Sequence, residues 1–210
     1  MDNQFFRLGE ECPVWRHFRS GDATALATIF HENYDSLYYY GKKLVKDDDL
    51  VKDCVQNLFL KIWKTRHNLM AVKSVRPYLL KSLRRHIGDQ MTAINRQKSF
   101  QDHYQSEFQI TFSHEDFLIA SQTDQEQSEA LARCLNTLPF RQREALFLRF
   151  YEGLDYPRIA EVMLLNVQSV RNLIHQSLKS IKKLMNLPPA LLTDIDNSNG
   201  ERSSTHRSPQ

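Results

Sequence analysis

The chain has 210 residues, of which 41% are hydrophobic and 25% charged, and its formal net charge at pH 7 is +3. A chain of this length can form one large domain or two small ones, and so small a net charge does not by itself indicate nucleic-acid binding. Three cysteines lie far apart without a Cys-x-x-Cys pair, so neither a disulfide framework nor a zinc knuckle is indicated. Only six glycines and no valine-rich alternating stretches favour an all-α fold.

Charge is arranged in blocks along the chain. Between Lys61 and Lys98, ten basic residues stand against a single acidic one, Asp89. The next stretch is rich in Asp and Glu, and a second basic block begins at Arg141. This order predicts two small helical domains, residues 20–95 and 129–186, joined by a flexible acidic linker over residues 96–128. Residues 1–19 are expected to form an N-terminal arm and residues 187–210 a disordered tail.

The first block contains an amphipathic helix from Leu50 to Lys64, preceded by a helix that Asp22 caps and by three consecutive acidic residues. Its core stripe consists of Val51, Val55, Leu58, Phe59 and Ile62. The opposite face carries Asp53, Gln56, Asn57, Leu60 and Lys64. Leu60 is either a single exposed leucine, which is common, or the anchor of a surface that docks a partner helix. The tyrosine run at 38–40 is expected to pack and is given no functional role.

A basic helix follows, from Arg76 to Met91, with Pro77 in its first turn. Its bases Lys81, Arg84 and Arg85 are predicted to lie on the outer side. Such a surface could grip phosphates, and the loop before it could hold a base extruded from an opened strand. The alternative is a solvated basic face without a ligand.

The second block has the pattern of a helix-turn-helix. A helix from about Arg141 breaks at Glu152 and Gly153, a short helix spans Tyr156 to Met163, and a turn leads into a basic helix capped near Asn166. In this motif the second helix enters the major groove with its N-terminal residues at base edges. The residues placed to reach bases are Gln168, Ser169, Arg171, Asn172 and His175, and Lys179 lies further along, where phosphates are expected.

Together these stretches resemble the bacterial RNA polymerase sigma factors of the extracytoplasmic-function type. "DCVQNLFLKIW" is similar to the polymerase-binding helix of that family and "VRPYLLKSLRRHIGDQM" to its promoter-melting helix. "LPFRQREALFLRFYEGLDYPRIAEVM" with "VQSVRNLIHQSL" is similar to its C-terminal DNA-binding domain. The resemblance covers about residues 20–95 and 129–186, which correspond to sigma regions 2 and 4.

The resemblance implies a partner for each surface. The β′ coiled coil of core RNA polymerase should meet Asp53, Gln56, Asn57, Leu60 and Lys64. The minus-10 promoter element should meet His67, Asn68, Lys73, Arg76, Lys81, Arg84 and Arg85. The minus-35 element should meet Gln168, Ser169, Arg171, Asn172, His175 and Lys179. The β flap of the polymerase and an anti-sigma factor are further partners that the resemblance suggests.

Three positions depart from the pattern of that family. Asn57 stands where Glu is usual, which removes a charge from the polymerase contact. Arg85 replaces a common Asn among the minus-10 residues. Leu164 occupies a turn position that often holds Gly, where a left-handed backbone would be strained.

Two other classes of protein are weighed against the sigma factor. A stand-alone helix-turn-helix regulator would need a receiver or ligand domain, yet residues 1–95 show no alternation of strands and helices. An enzyme is not indicated, because the histidines have no metal-ligand spacing and no phosphate loop or nucleophile motif occurs. We therefore expect no metal, no cofactor and no catalysis. Without a signal peptide or membrane-spanning run, a cytoplasmic protein with no membrane insertion is expected.

Overall fold

The structure is a computed structural model that describes residues 11–98, 111–112 and 125–185. All regular elements in these ranges are helical, which confirms the predicted all-α class. The α-helices are α1 (Pro13–Arg19), α2 (Ala23–Leu44), α3 (Asp48–Thr65), α4 (Val75–Lys98), α5 (Gln125–Asn136), α6 (Phe140–Leu146), α7 (Tyr156–Met163) and α8 (Val167–Leu184). A 3₁₀ turn (Arg66–Asn68) follows α3, and a π-helical segment (Phe147–Tyr151) follows α6.

Two helices of the N-terminal domain, α2 and α3, start at acidic side chains that cap them. The Asp22 carboxylate accepts hydrogen bonds from the backbone N–H groups of Thr24 and Ala25, at 2.8 and 3.3 Å. Asp47 caps α3 in the same way, and two more aspartates in the first turn suit the positive end of the helix dipole. The predicted cap of α2 at Asp22 is confirmed, whereas α3 begins at Asp48, two residues before the predicted Leu50.

Helices α2 and α3 pack closely at Gly41. A Cβ atom at this position would lie 2.6 Å from Cγ1 of Val51, which is closer than carbon atoms can approach. The predicted core stripe of α3 is buried against this contact, and Leu60 on the opposite face is 49% exposed. The amphipathic prediction for α3 is confirmed.

The N-terminal bundle includes residues from the predicted arm. Trp15 and Phe18 of α1 are fully buried. The Trp15 indole N–H donates to the carbonyl oxygen of Met70 at 3.0 Å, and the Cys12 backbone N–H donates to that of Val72 at 2.9 Å. Helix α1 thus fixes the loop that connects α3 to α4.

The C-terminal domain contains the predicted helix-turn-helix, formed by α7 and α8. Asp155 caps α7 through the N–H of Arg158 at 3.0 Å, and Asn166 caps α8 through the N–H of Ser169 at 2.7 Å. The inner sides of the two helices are buried at Ile159, Ala160, Met163, Val170 and Ile174. The predicted spacing and the predicted cap near Asn166 are confirmed, and the cap at Asp155 is an additional finding.

Part of the predicted linker is described. The Asn136 side-chain amide donates to the carbonyl oxygen of Phe112 and accepts from its N–H, both at 2.9 Å. Lys43 of α2 donates to the carbonyl oxygen of Thr111 at 2.9 Å. Residues 96–98 belong to α4 and residues 125–128 to α5. The remainder of the linker and the predicted disordered tail lie outside the described residues.

The turn between α7 and α8 keeps a left-handed residue although that residue is leucine. Leu164 has φ 55° and ψ 47°, the one positive φ among the non-glycine residues that the structure describes. The Leu165 N–H then donates to the carbonyl oxygen of Ala160 at 2.9 Å and closes the turn. The left-handed conformation of a residue with a side chain lowers the free energy of unfolding by about 1–2 kcal/mol. The Leu164 side chain is 63% exposed, so its packing offsets little of this strain.

Replacing this residue should therefore stabilise the fold. Leu164→Gly removes this strain, but the greater freedom of glycine in the unfolded chain lowers the free energy of unfolding by about 0.4–1 kcal/mol. We therefore expect a net gain in the free energy of unfolding of up to about 1.5 kcal/mol. The matched control is Leu60→Gly, a comparably exposed leucine in a helix interior, which should destabilise by about 1 kcal/mol. Urea denaturation followed by circular dichroism measures both, and a loss of stability in Leu164→Gly would contradict the strain.

Candidate nucleic-acid interface

The predicted base-reading residues share one exposed side of α8. Gln168, Arg171, Asn172, His175 and Lys179 are exposed, and Ser169 is half-buried at the N-terminal end. Val170, Ile174, Ser177 and Ile181 are buried on the other side. The 18 residues of α8 include no Asp or Glu, so this surface carries only positive charge. The arrangement suits entry into a major groove, where a helix meets both bases and phosphates.

Two of these side chains form a hydrogen-bonded pair. The Gln168 side-chain amide donates to the Asn172 amide oxygen at 3.0 Å. This bond uses neither the Asn172 amide nitrogen nor the Gln168 amide oxygen. A donor and an acceptor therefore remain on adjacent turns, which are the two groups that the major-groove edge of adenine requires.

The ring of Tyr156 lies beside the reading surface. The Arg171 guanidinium carbon is 5.8 Å from its centroid, and that of Arg149 is 5.1 Å away. Arg149 also donates to the carbonyl oxygen of Leu154 at 3.1 Å. Sequence reasoning did not select Tyr156, because it belongs to α7 and no pattern within α8 points to it.

The predicted docking face of α3 is open. Asp53, Gln56, Asn57, Leu60 and Lys64 are all exposed. A half-exposed leucine framed by polar side chains has the composition of a small interface centre with a polar rim. Asn57 is neutral, so any carboxylate function of this face falls to Asp53 alone among these five residues.

The loop and helix predicted to bind the minus-10 element are mostly accessible. His67, Asn68, Lys73, Arg76 and Arg85 are exposed, and Lys81 is half-buried. Met70, at the tip of the loop, is 84% exposed and was not selected from the sequence. Its backbone is held by Trp15, so an exposed apolar side chain stands on a fixed support.

Arg84 does not lie on the outer side as predicted. Its Nε donates to Oε1 of Glu144 at 2.7 Å and its Nη2 donates to Oε2 at 3.2 Å, with 17% of the side chain exposed. The Tyr40 hydroxyl donates to Oε1 of Glu144 at 2.7 Å. The outward placement of Arg84 was wrong because the C-terminal domain covers this part of α4. Glu144 lies 60 residues from Arg84 and 104 from Tyr40, so no local pattern could reveal the contact.

The electrostatics of this cluster keep its donors protonated. Burial lowers the pKa of Arg84, but the hydrogen bonds and charge of Glu144 outweigh it, so the pKa is raised. Burial, and next the charge of Glu144, raises the pKa of Tyr40 well above its ordinary value. Glu144 has no exposed surface, so all of its stabilisation comes from these side chains and their surroundings.

Other contacts between the two domains surround the cluster. The Ser36 hydroxyl donates to Oε2 of Glu152 at 2.7 Å, and burial raises the pKa of Glu152 against the opposing effects of Ser36 and Arg76. Lys81 lies 3.8 Å from Glu161 in an exposed pair. The rings of Tyr39 and Tyr151 stack with centroids 4.7 Å apart. Helices α2 and α4 of the N-terminal domain thus pack directly on the C-terminal domain.

Within 11–98, 111–112 and 125–185, no group of three His, Cys, Asp or Glu side chains could hold a metal ion. Over that part of the chain, no helix has the length and apolarity to cross a membrane. All three cysteines are free.

Comparison with protein families matches both domains. Residues 29–97 match the model for sigma-70 region 2, and residues 128–181 match the model for sigma-70 region 4. The two matches together span more than half of the chain.

Curated relatives match across both domains. The chain is 20% identical to the ECF RNA polymerase sigma factor SigK of Mycobacterium ulcerans (strain Agy99), covering 81% of this chain and 90% of that protein. It is 21% identical to the protein of the same name from Mycolicibacterium vanbaalenii, with coverages of 81% and 86%.

Solved structures share the fold. The sigma factor RpoE of Bartonella quintana, in complex with the anti-sigma factor NepR, aligns with a TM-score of 0.59 and 18% identity, covering 79% of this chain and 99% of that one. CnrH, in complex with the cytosolic domain of CnrY, aligns with a TM-score of 0.55 and 16% identity, covering 82% and 95%.

The buried carboxylate of Glu144 should control how the two domains pack. Glu144→Gln leaves the Arg84 charge unbalanced, and an unpaired charge that stays buried costs about 3–5 kcal/mol. Separation of the domains would return Arg84 to water. We therefore expect a larger radius of gyration for the free chain by small-angle X-ray scattering, with the helix content by circular dichroism unchanged.

Glu161→Gln is the matched control, since it removes a carboxylate from the exposed pair with Lys81. Such pairs contribute about 1 kcal/mol or less, so its radius of gyration should equal that of the wild type. An unchanged radius in Glu144→Gln as well would show that the buried carboxylate does not hold the domains together.

Proposed function

Since the chain belongs to the sigma-70 family and is a sigma factor that directs core RNA polymerase to promoters, we propose that its three surfaces divide this task. In this proposal residues 20–95 act as region 2 and residues 129–186 as region 4, connected by the linker at 96–128. The chain would contribute recognition and no catalytic group or cofactor. It would act in the cytoplasm, where the polymerase transcribes.

The first surface, on α8, is proposed to read the minus-35 element. Arg171 and Asn172 lie about one turn from the start of the helix, where side chains of a helix-turn-helix reach base edges. Arg favours guanine, and Asn or Gln favours adenine, through paired hydrogen bonds. Gln168, Ser169 and His175 would extend the reading surface, and Lys179 would contact a phosphate.

The second surface, on α3, is proposed to bind the β′ coiled coil of core polymerase. Leu60 supplies an apolar centre, and Asp53, Gln56, Asn57 and Lys64 supply a polar rim. The C-terminal domain would meet the β flap. Asn57 is neutral, so Asp53 is the one carboxylate among these five residues. The contact would therefore depend more strongly on Leu60 than it would if residue 57 were also acidic.

The third surface, the loop after α3 together with α4, is proposed to bind the opened minus-10 element. His67, Asn68, Lys73, Arg76, Lys81, Arg84 and Arg85 would supply its contacts. While the two domains are packed together, fewer of these side chains are available to DNA. Arg84 is paired with Glu144, and Lys81 lies beside Glu161. We infer that the two domains separate before the minus-10 contacts form.

An anti-sigma factor is a further proposed partner. Both structural neighbours named above were solved in complex with another chain, in one case an anti-sigma factor by name. A protein that binds across the packed domains would stabilise the contact between Arg84 and Glu144 and so withhold Arg84 from DNA.

The observation that carries the proposal is that one chain exposes both an acid-free recognition helix, α8, and a leucine-centred polar face, α3. The decisive experiment is run-off transcription with purified core polymerase and this protein on a library of promoter fragments. Initiation at a defined set of fragments supports the proposal. Binding to duplex DNA without polymerase-dependent initiation would favour the stand-alone regulator instead.

Leu60→Asp should weaken binding to core polymerase by about 2 kcal/mol or more, because it places a charge at the centre of the proposed interface. Fluorescence anisotropy of labelled protein against core polymerase measures the loss, and circular dichroism checks that the chain stays folded. Met70→Asp, which changes another exposed apolar residue of the same domain outside the proposed face, is the control and should bind normally. Equal binding by both variants would remove Leu60 from the interface.

Arg171→Ala and Lys179→Ala should separate base reading from attraction to phosphate. Loss of Arg171 should cost about 1–3 kcal/mol on the preferred minus-35 sequence and little on scrambled DNA, because the paired contact exists only at the right base. Loss of Lys179 should weaken both sequences alike and lower the salt slope by about one. Equal losses on both sequences for Arg171→Ala would make α8 a merely basic surface. Both are measured as holoenzyme binding across a salt series.

A further inference from the structure

The contact between Tyr156 and Arg171 joins the two helices of the helix-turn-helix through side chains. Tyr156 is the first residue of α7, is half-buried, and lies within cation–π distance of Arg171 on α8. Arg149 approaches the same ring from the π-helical segment and is itself fixed by the Leu154 carbonyl. The position of the ring is thus set by elements outside the recognition helix.

Among the residues that the structure describes, no acidic group holds Arg171. Helix α8 contains no Asp or Glu, and no ion pair of Arg171 occurs within residues 11–98, 111–112 and 125–185. An exposed arginine without such a partner samples many rotamers, and ordering it on binding costs conformational entropy. The Tyr156 ring, over which the guanidinium carbon lies, reduces this freedom before DNA arrives.

The contact with the ring also leaves the N–H donors of the guanidinium available. The attraction is between the cation and the face of the ring and uses no hydrogen bond, so the N–H donors can still pair with O6 and N7 of guanine. Arg171 can therefore bind a guanine while it stays over the ring. An ion pair with a carboxylate would instead occupy the same N–H donors.

We propose that Tyr156 is a positioning residue that holds Arg171 for guanine recognition in the minus-35 element. The inference rests on the proposed role of α8 in reading that element. Tyr156 touches no base in this role, and its effect appears only through Arg171. The hydroxyl is not needed, since the ring face supplies the contact.

The test uses the complete chain assembled with core polymerase and two variants of Tyr156. Tyr156→Phe keeps the ring, and Tyr156→Leu keeps an apolar side chain without the ring. Holoenzyme binding is measured on the preferred promoter and on versions with each minus-35 guanine replaced by adenine. The Arg171→Ala variant identifies the guanine that Arg171 reads. Replacing that guanine by adenine weakens binding of the wild type but no longer changes binding of the variant. Thermal unfolding of each free variant checks the fold.

At that guanine, Tyr156→Leu should lower the discrimination against adenine by about 2- to 5-fold, the range expected for an exposed cation–π contact. Tyr156→Phe should retain the wild-type ratio. Adding Tyr156→Leu to Arg171→Ala should lower binding no further, because the residue acts through Arg171.

Three results would overturn the inference while leaving the minus-35 role intact. Full discrimination in Tyr156→Leu would show that the ring is not needed, and an equal loss in Tyr156→Phe would assign the effect to the hydroxyl. An additive loss in the double variant, equal on both sequences, would make Tyr156 a packing residue of the fold. If the wild-type holoenzyme itself ignores the minus-35 guanines, the proposed role of α8 fails and the inference fails with it.

Discussion

The carboxylate of Glu144 is the constraint on which the packed arrangement depends. It has no exposed surface and accepts three hydrogen bonds, from Arg84 and Tyr40 of the other domain. A buried charge is tolerated only while such partners are present, and a buried ion pair often adds little net stability over hydrated charges. The contact therefore determines the orientation in which the domains pack, while it adds little to the free energy of their association. For this reason the domains can separate again.

This constraint gives Arg84 two uses that exclude each other. In the packed form its guanidinium donates hydrogen bonds to Glu144, and in the proposed minus-10 role it would contact DNA instead. The recognition side of α8 and the polar face of α3 remain exposed in the same form. On the proposed assignments, polymerase could engage α3 first, and release of Arg84 would accompany the separation of the domains.

Features set by neighbouring residues could be predicted from the sequence, whereas contacts between distant segments could not. The stripe of α3, the exposure of Leu60 and the caps at Asp22 and Asn166 follow from spacing and residue type, and all of these are confirmed. The burial of Arg84 could not be predicted, because a basic helix face looks the same with or without a covering domain. Tyr156 was missed for a related reason, since its partner Arg171 lies on another helix and aromatic residues at helix starts usually pack.

The hydrogen bonds between Asn136 and Phe112 determine how far the C-terminal domain can travel. If these hydrogen bonds persist when the Lys43 contact breaks, residue 112 moves with the C-terminal domain, and the connection shortens from the whole linker to residues 99–111. Thirteen residues span at most roughly 45 Å when fully extended. The hydrogen bonds between Asn136 and Phe112 would then limit the distance between the two promoter elements that one molecule can contact at the same time.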